Sequence, residues 1–325
     1  MRAAVFRRYG PPEVVQIEDV AKPVPKPGEV LIRVRAATVC AIDWRVRKGD
    51  PFVVKILNGF PLPKKNRILG VEFSGTVESS GESGGAASRF RPGDEVFGCN
   101  PATCGAHAEY LCVPETATLA AKPVNLTHDE AAAVLFGGLS ALYFLRKARI
   151  QPGQKVLIYG ASGSVGVFAV QIAKSLGAHV TAVSSSANLD LVKSLGADAV
   201  IDYTNDDFAA SGRIYDVIFD TVGKSGYARS MRALKRNGVY VREAPPLWLL
   251  TSIFASMWSS LTGGPRIVGG AAKVAAGDQA ALTQLIESGK LRTVIDRRYS
   301  LDEIAAAHRH AESGRKKGHV VVVIT

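Results

Sequence analysis

The stretch KVLIYGASGSVGVFAVQIAKSLGA, Lys155 to Ala178, decides how the chain is read. An apolar run of strand length ends at Gly160, and a helix pattern starts within a few residues of it. Between them lie Gly160, Gly163 and Gly166, spaced G-x-x-G-x-x-G. A glycine triplet alone is a weak signal. Between a strand and a helix it predicts a turn whose first glycine allows a tight bend. The second lets the backbone approach a pyrophosphate, and the third lets helix and strand pack closely. The amides of Ser162, Gly163, Ser164 and Val165 then face an anion at a helix N-terminus. The bland reading is a glycine turn that binds nothing.

Downstream, β and α patterns alternate. HVTAVSS, AVIDY, YDVIFDTVG and GVYVRE read as strands, and NLDLVKSLG and GYARSMRALK as helices. Apolar strands separated by helices predict a doubly wound parallel sheet covered on both faces. Upstream the texture is different. EVLIRVRAATV, VEFSGTVES, DEVFG and AHAEYLCVP are short β runs between turn residues. VNLTHDEAAAVLFGGLSALYFLRKA opens with Thr127 and Glu130 at capping-box spacing and predicts one long apolar helix. The tail has two amphipathic helices and ends in HVVVVIT, and is expected to fold back on the N-terminal β region. The fold class is therefore α/β: a β domain from residues 1–125 and 270–325, and a Rossmann domain from 126–269.

Bulk properties exclude little by themselves. The chain has 325 residues, 47% hydrophobic and 21% charged, with a net charge of +11. Such a balance suits nucleic acid, a membrane surface or an anionic cofactor. The basic residues lack the aromatic interleaving of a nucleic-acid binder, so nucleic acid is not an expected partner. Four cysteines are too few for a disulfide-built fold, and the first residues lack a signal-peptide core. A reducing, cytoplasmic setting is the expectation. No window is apolar enough for a membrane span. Leu247 to Leu261 reads as a flap over an apolar pocket or as an interfacial membrane contact.

Ser184, Ser185 and Ser186 end the second Rossmann strand, where an NAD-specific protein usually carries a carboxylate. Hydroxyls there can donate to a 2′-phosphate, which favours NADP(H). They also serve simply to end a strand.

The motifs KPGEVLIRV, ILGVEFSGTV, RPGDEVFG, AEYLCVPE, GASGSVG, SLGADAVIDY and DVIFDTVG span nearly the whole chain. Together they resemble the zinc-free quinone oxidoreductase branch of the medium-chain dehydrogenase/reductase superfamily. The C-terminal tail is similar to the subgroup that includes the chloroplast envelope quinone oxidoreductase homologue. The resemblance implies a GroES-like domain built from both chain ends, an inserted Rossmann domain, and an active site in the cleft between them. A homodimer acting on a small hydrophobic quinone or enone is expected as well. Zinc-dependent relatives use a cysteine, a histidine and a cysteine; here those positions hold Cys40, Val71 and Gly137. One thiolate of three ligands is no catalytic zinc site, so no metal is expected. Cys40 and Asp43 are the catalytic candidates, and Asp43 reads equally well as a turn-capping carboxylate. By the same resemblance Ser140, Tyr203, Val222, Arg242 and Ala244 contact the cofactor, with Glu243 beside them. Arg45 stands where many relatives have a tyrosine, and Ala187 where a basic residue is frequent.

The implied reaction is NADPH-dependent reduction of a quinone or an α,β-unsaturated carbonyl. Two alternatives stand beside it: a zinc-independent alcohol dehydrogenase, and a low-turnover NADPH-binding scaffold or RNA binder.

Overall fold

The computed structural model describes residues 1–65, 67–81, 88–101, 104–210, 212–243, 264–275 and 277–325. Ala244 and Leu247 to Leu261 lie outside the described residues. The chain divides into two compact units, residues 1–136 with 293–325, and residues 137–292.

The first unit is a β structure. β1 (Arg2–Phe6) and β2 (Val15–Asp19) form an antiparallel pair. β3 (Glu29–Thr38), β4 (Glu72–Ser80), β5 (Glu95–Cys99), β6 (Tyr110–Pro114) and β7 (Thr118–Ala121) build most of a larger sheet. Two C-terminal strands, β14 (Ile295–Ser300) and β15 (His319–Val323), complete it. The order is β14-β15-β3-β4-β5-β7, with β6 also paired to β3. Alternation along β3 sends Val30, Ile32 and Val34 into one core with Phe73, Val96, Val320 and Val322. Burying such side chains contributes about 1.5–3 kcal/mol each. The helices are α1 (Ala41–Lys48), α2 (Val53–Asn58), α3 (His128–Ala132) and, near the end of the chain, α9 (Ile304–Glu312).

The second unit is the parallel sheet read from the glycine stretch. Its strands are β8 (Lys155–Tyr159), β9 (His179–Ser184), β10 (Ala199–Asp202), β11 (Tyr215–Asp220), β12 (Leu234–Glu243) and β13 (Arg266–Gly270). The order is β10-β9-β8-β11-β12-β13, all parallel, so the chain reverses direction across the sheet beside β8. α5 (Ser164–Ser175), α6 (Leu189–Ser194), α7 (Tyr227–Arg232) and α8 (Asp278–Glu287) belong to this unit.

Three expectations shift. The capping box forms, with the Thr127 amide donating to Glu130 at 2.9 Å. The long helix it was expected to open breaks at Ala133 and restarts as α4 (Leu135–Ala148). A buried carboxylate, Glu72, takes the amide of Phe136 at 2.7 Å and so caps the second segment separately. The GYARSMRALK helix is cut to six residues because Leu234 and Lys235 already belong to β12. Finally, residues 270–292 stay with the parallel sheet instead of returning to the β unit. Leu282 and Ile286 bury one face of α8, and the Gln171 side chain clamps Arg292 through both its amide and its carbonyl, at 2.9 and 3.0 Å.

Candidate functional site

The glycine turn is built as its spacing requires. Gly160 has φ +80°, a left-handed conformation, and a Cβ there would lie 2.7 Å from Val222 Cγ1. At Gly166 a Cβ would meet the Gly160 carbonyl oxygen at 2.2 Å, so only glycine lets α5 lie this close to β8. A Cβ on Gly163 would meet nothing nearer than that carbonyl at 3.4 Å, which leaves open space above the turn. Gly163 caps α5, so the amides of Ser164, Val165 and Gly166 head its first turn, ahead of the i→i−4 ladder. A buried turn, an open cradle and a helix N-terminus together fit a pyrophosphate.

The remaining nucleotide candidates gather at the carboxyl ends of the same strands, where ligands of such sheets bind. Ser184 ends β9 and is buried, and its hydroxyl donates to Ser162 Oγ at 2.8 Å. Asn188 Nδ2 donates to the same oxygen at 3.1 Å and to Ser185 Oγ at 3.3 Å. Ser162 Oγ accepts from both Ser184 and Asn188 and keeps its own proton available to donate. Ser162 and Ser185 are the partly exposed candidate donors of this corner, with the buried Ser184 behind them. Tyr203 follows β10; its amide donates to the Ser184 carbonyl at 3.0 Å, and its ring is exposed beside Tyr159 at 6.3 Å. Such a face suits an adenine. Beyond β11, Val222 is exposed, and Asp220 collects the amides of Val222, Gly223 and Ser225 at 3.2, 2.8 and 2.9 Å. Arg242, at the end of β12, holds the Gly223 carbonyl at 3.0 Å. Ser140, buried on α4, donates to Glu243 at 3.2 Å.

One expectation at this corner is corrected. Asp202 ends β10 in direct register with Ser184. Its carboxylate accepts from Ser186, and from Thr204 and Asn205 at 2.6 and 2.9 Å. Those hydrogen bonds, Ser186 first, hold its pKa below the ordinary carboxylate value. The strand end is therefore not free of negative charge, and Ser186 is committed to that charge.

In the β unit, Cys40 caps α1 and is 2% exposed. Asp43 sits three residues on and is fully buried. One of its oxygens accepts the Cys40 amide at 2.7 Å and the other the Gly70 amide at 2.8 Å. Both oxygens are taken by backbone, so Asp43 fixes the position of Cys40. Burial, reinforced by the charges of Asp43 and Glu72, pushes the Cys40 thiol well above its usual range. Cys40 packs with Val71 and Cys104, against Ile42 and Phe136. An alkyl group thus occupies the second zinc-ligand position. Among the described residues no group of three His, Cys, Asp or Glu could hold a metal ion.

Glu72 is the residue that sequence reasoning passed over. It accepts from Thr38 Oγ1 at 2.6 Å as well as from Phe136. Burial drives its pKa up to about 7, against the lowering effect of those two donors. Lys316 is its cationic counterpart: burial brings it down to about 8, opposed by Cys40 and Glu72. The available signal was a single carboxylate inside the apolar run GVEF.

Known proteins resemble both parts of the chain. Residues 26–124 match the alcohol dehydrogenase GroES-like domain, and residues 195–322 the zinc-binding dehydrogenase family. The mitochondrial NAD(P)H oxidoreductase RTN4IP1 of Mus musculus is 32% identical, over 99% of this chain and 89% of that protein. The 2-methylene-furan-3-one reductase of Solanum lycopersicum is also 32% identical, over 99% and 79%. The quinone oxidoreductase of Coxiella burnetii superposes with a TM-score of 0.88 at 31% identity, covering 100% of this chain and 99% of that one.

The chain belongs to the zinc-free quinone oxidoreductase branch of the medium-chain dehydrogenase/reductase superfamily. It is an oxidoreductase of a family that binds a nicotinamide cofactor. No described helix is long and apolar enough to cross a membrane.

Proposed function

We propose that this oxidoreductase reduces quinones or α,β-unsaturated carbonyls with NADPH, by direct hydride transfer and without a metal. The observation that carries the reading is the pairing of an open glycine cradle with a Cys40 pocket that has Val71 at a ligand position. The names of the tomato reductase and of the Coxiella oxidoreductase support the substrate class.

Bound reduced nicotinamide supplies a hydride, two electrons and one proton, to an electrophilic carbon. The chain's residues hold the reactants and exclude water. Charge then develops on the substrate oxygen and needs a donor. The Cys40 thiol, kept protonated by its buried setting, donates a hydrogen bond to that oxygen, and Asp43 holds Cys40 in place through the backbone. The final proton comes from solvent. Ser162 and Ser185 donate to the 2′-phosphate. Asp202 opposes them, so the preference for NADPH over NADH stays below about tenfold, one charge-assisted hydrogen bond being about 1.5–3 kcal/mol.

The test is cofactor oxidation against a panel of quinones, enones and alkenals, with alcohols run in the reverse direction. Quinones or enones are expected to turn over, undiminished after dialysis against a strong chelator. Faster oxidation of a simple alcohol than reduction of every quinone and enone would overturn the substrate class. One zinc per chain surviving that dialysis would overturn the metal-free reading.

A further inference from the structure

Between Arg45 and Arg67 the chain carries seven basic residues and one acid, Asp50, so this stretch holds +6 of the net +11. The same stretch exposes an unusual amount of apolar side chain. Phe52, Val53, Ile56, Leu57, Phe60 and Leu62 are 59, 37, 62, 68, 59 and 54% exposed. Phe52, Val53, Ile56 and Leu57 follow the spacing of one helix face around α2. The rings of Phe52 and Phe60 meet edge to face at 5.7 Å.

The charges border this face. Lys55 Nζ lies 6.0 Å from the Phe52 ring centre and 5.5 Å from that of Tyr9. The amides of Lys64 and Lys65 both donate to the Asn58 carbonyl, at 2.9 and 3.1 Å, which brings that dipeptide to the end of α2. Arg47 and Lys48 are paired with Glu312, whereas Lys64 and Lys65 form no ion pair among the described residues. Leaving a contiguous apolar face in water costs free energy, and such faces mark binding surfaces. A second copy of this chain would bring like charge against it. An anionic lipid surface matches both halves: the apolar side chains enter the acyl boundary while the lysines meet the headgroups.

We propose that residues 45–67 dock the protein on an anionic lipid bilayer. Docking requires no turnover, so its test stands apart from that of the reductase reading. The full chain is sedimented with vesicles of phosphatidylcholine alone, and of phosphatidylcholine with about one third phosphatidylglycerol. Binding is expected to the anionic vesicles, at least tenfold above the neutral ones, and to weaken as salt rises from ~50 to ~500 mM. Reversing Lys64→Glu and Lys65→Glu together is expected to weaken binding by at least about 25-fold, since each basic residue lost near such a surface is worth about fivefold and each carboxylate gained adds repulsion. Ile56→Ser with Leu57→Ser is expected to lose at least tenfold while leaving NADPH affinity intact. The reversal of Lys193→Glu with Lys290→Glu, exposed residues of the other unit, is expected to change little. Equal binding to both vesicle types, or no binding, would overturn the proposal. So would an apolar variant that only shifts the sedimentation coefficient from dimer to monomer, or only raises KM for a quinone.

Discussion

The glycine turn after β8 and the pocket around Cys40 differ in how they are built. The turn is local: its three glycines fall within seven residues, and its chemistry follows from backbone geometry that only glycine permits. The Cys40 pocket is assembled from afar. Thr38, Asp43, Gly70, Glu72, Phe136 and Lys316 come from opposite ends of the chain, joined by sheet register and by carboxylates that hold backbone amides. A local site tolerates no change of shape at its tight positions. A distributed one tolerates changes of shape better than changes of charge.

The largest expected effect tests the local site. Gly166→Ala puts a methyl group 2.2 Å from a backbone oxygen, so it should destabilise the unit by several kcal/mol and lower nucleotide affinity more than 100-fold. Gly163→Ala meets nothing nearer than 3.4 Å; it should leave the melting temperature unchanged and still weaken nucleotide binding, because the methyl group fills the cradle. Thermal melts and fluorescence titrations of the two variants separate packing from binding. If both melt as wild type, the tight approach of helix and strand is not what Gly166 provides.

Next in size is the buried carboxylate of the distributed site. Glu72 is displaced from 4.5 to about 7, so the folded state holds its proton more tightly than the unfolded chain. Its contribution is fully present below pH 4.5 and is lost as pH rises through about 7. The span corresponds to about 3 kcal/mol. Glu72→Gln keeps an acceptor for the Phe136 amide and removes the titration. The difference in stability between wild type and Glu72→Gln, followed by denaturant melts from pH 5 to 8, should grow in the variant's favour as pH rises. A constant difference would mean that Glu72 titrates normally.

Smaller effects probe charge at each place. Asp202→Asn removes a negative charge in register with Ser184 and should shift the NADPH:NADH affinity ratio about fivefold toward NADPH. An unchanged ratio would show that the strand end does not read the 2′-position. Least of all, Cys40→Ala should lower kcat about threefold with little change in KM, as expected for one weak neutral donor. Loss of more than 100-fold would give Cys40 a larger role than hydrogen bonding.

The same contrast explains what could be read from the sequence. Strand alternation, the glycine spacing and the Thr127–Glu130 box are periodic or local, and they reappear in the structure. Partners distant in sequence leave no such trace. Nothing local announces that Glu72 will cap α4, 64 residues away. Asp202 was visible at the end of AVIDY, but only strand register places it beside Ser184. The split of the long helix into α3 and α4 belongs with these, since the second segment takes its cap from that remote carboxylate. The boundaries drawn at 125/126 and 269/270 fell early for a related reason: amphipathic periodicity shows that α8 buries a face, not which sheet receives it.

The strand order of the β unit has a consequence for how the chain reaches its native state. β15, the last strand, is no edge strand: it lies between β14 and β3, pairing Val321 with Thr38 and Val323 with Ala36. The Rossmann unit is contiguous and complete by residue 292, so it can form during synthesis while the β unit still lacks two of its strands. Until residues 319–323 leave the ribosome, the Ala36–Thr38 end of β3 lacks its β15 partner, while β6 already covers Glu29–Arg33; closing that gap joins segments about 280 residues apart in sequence, an entropically slow step. Losing HVVVVIT would remove an interior strand, leaving a folded Rossmann unit attached to a β unit that cannot close.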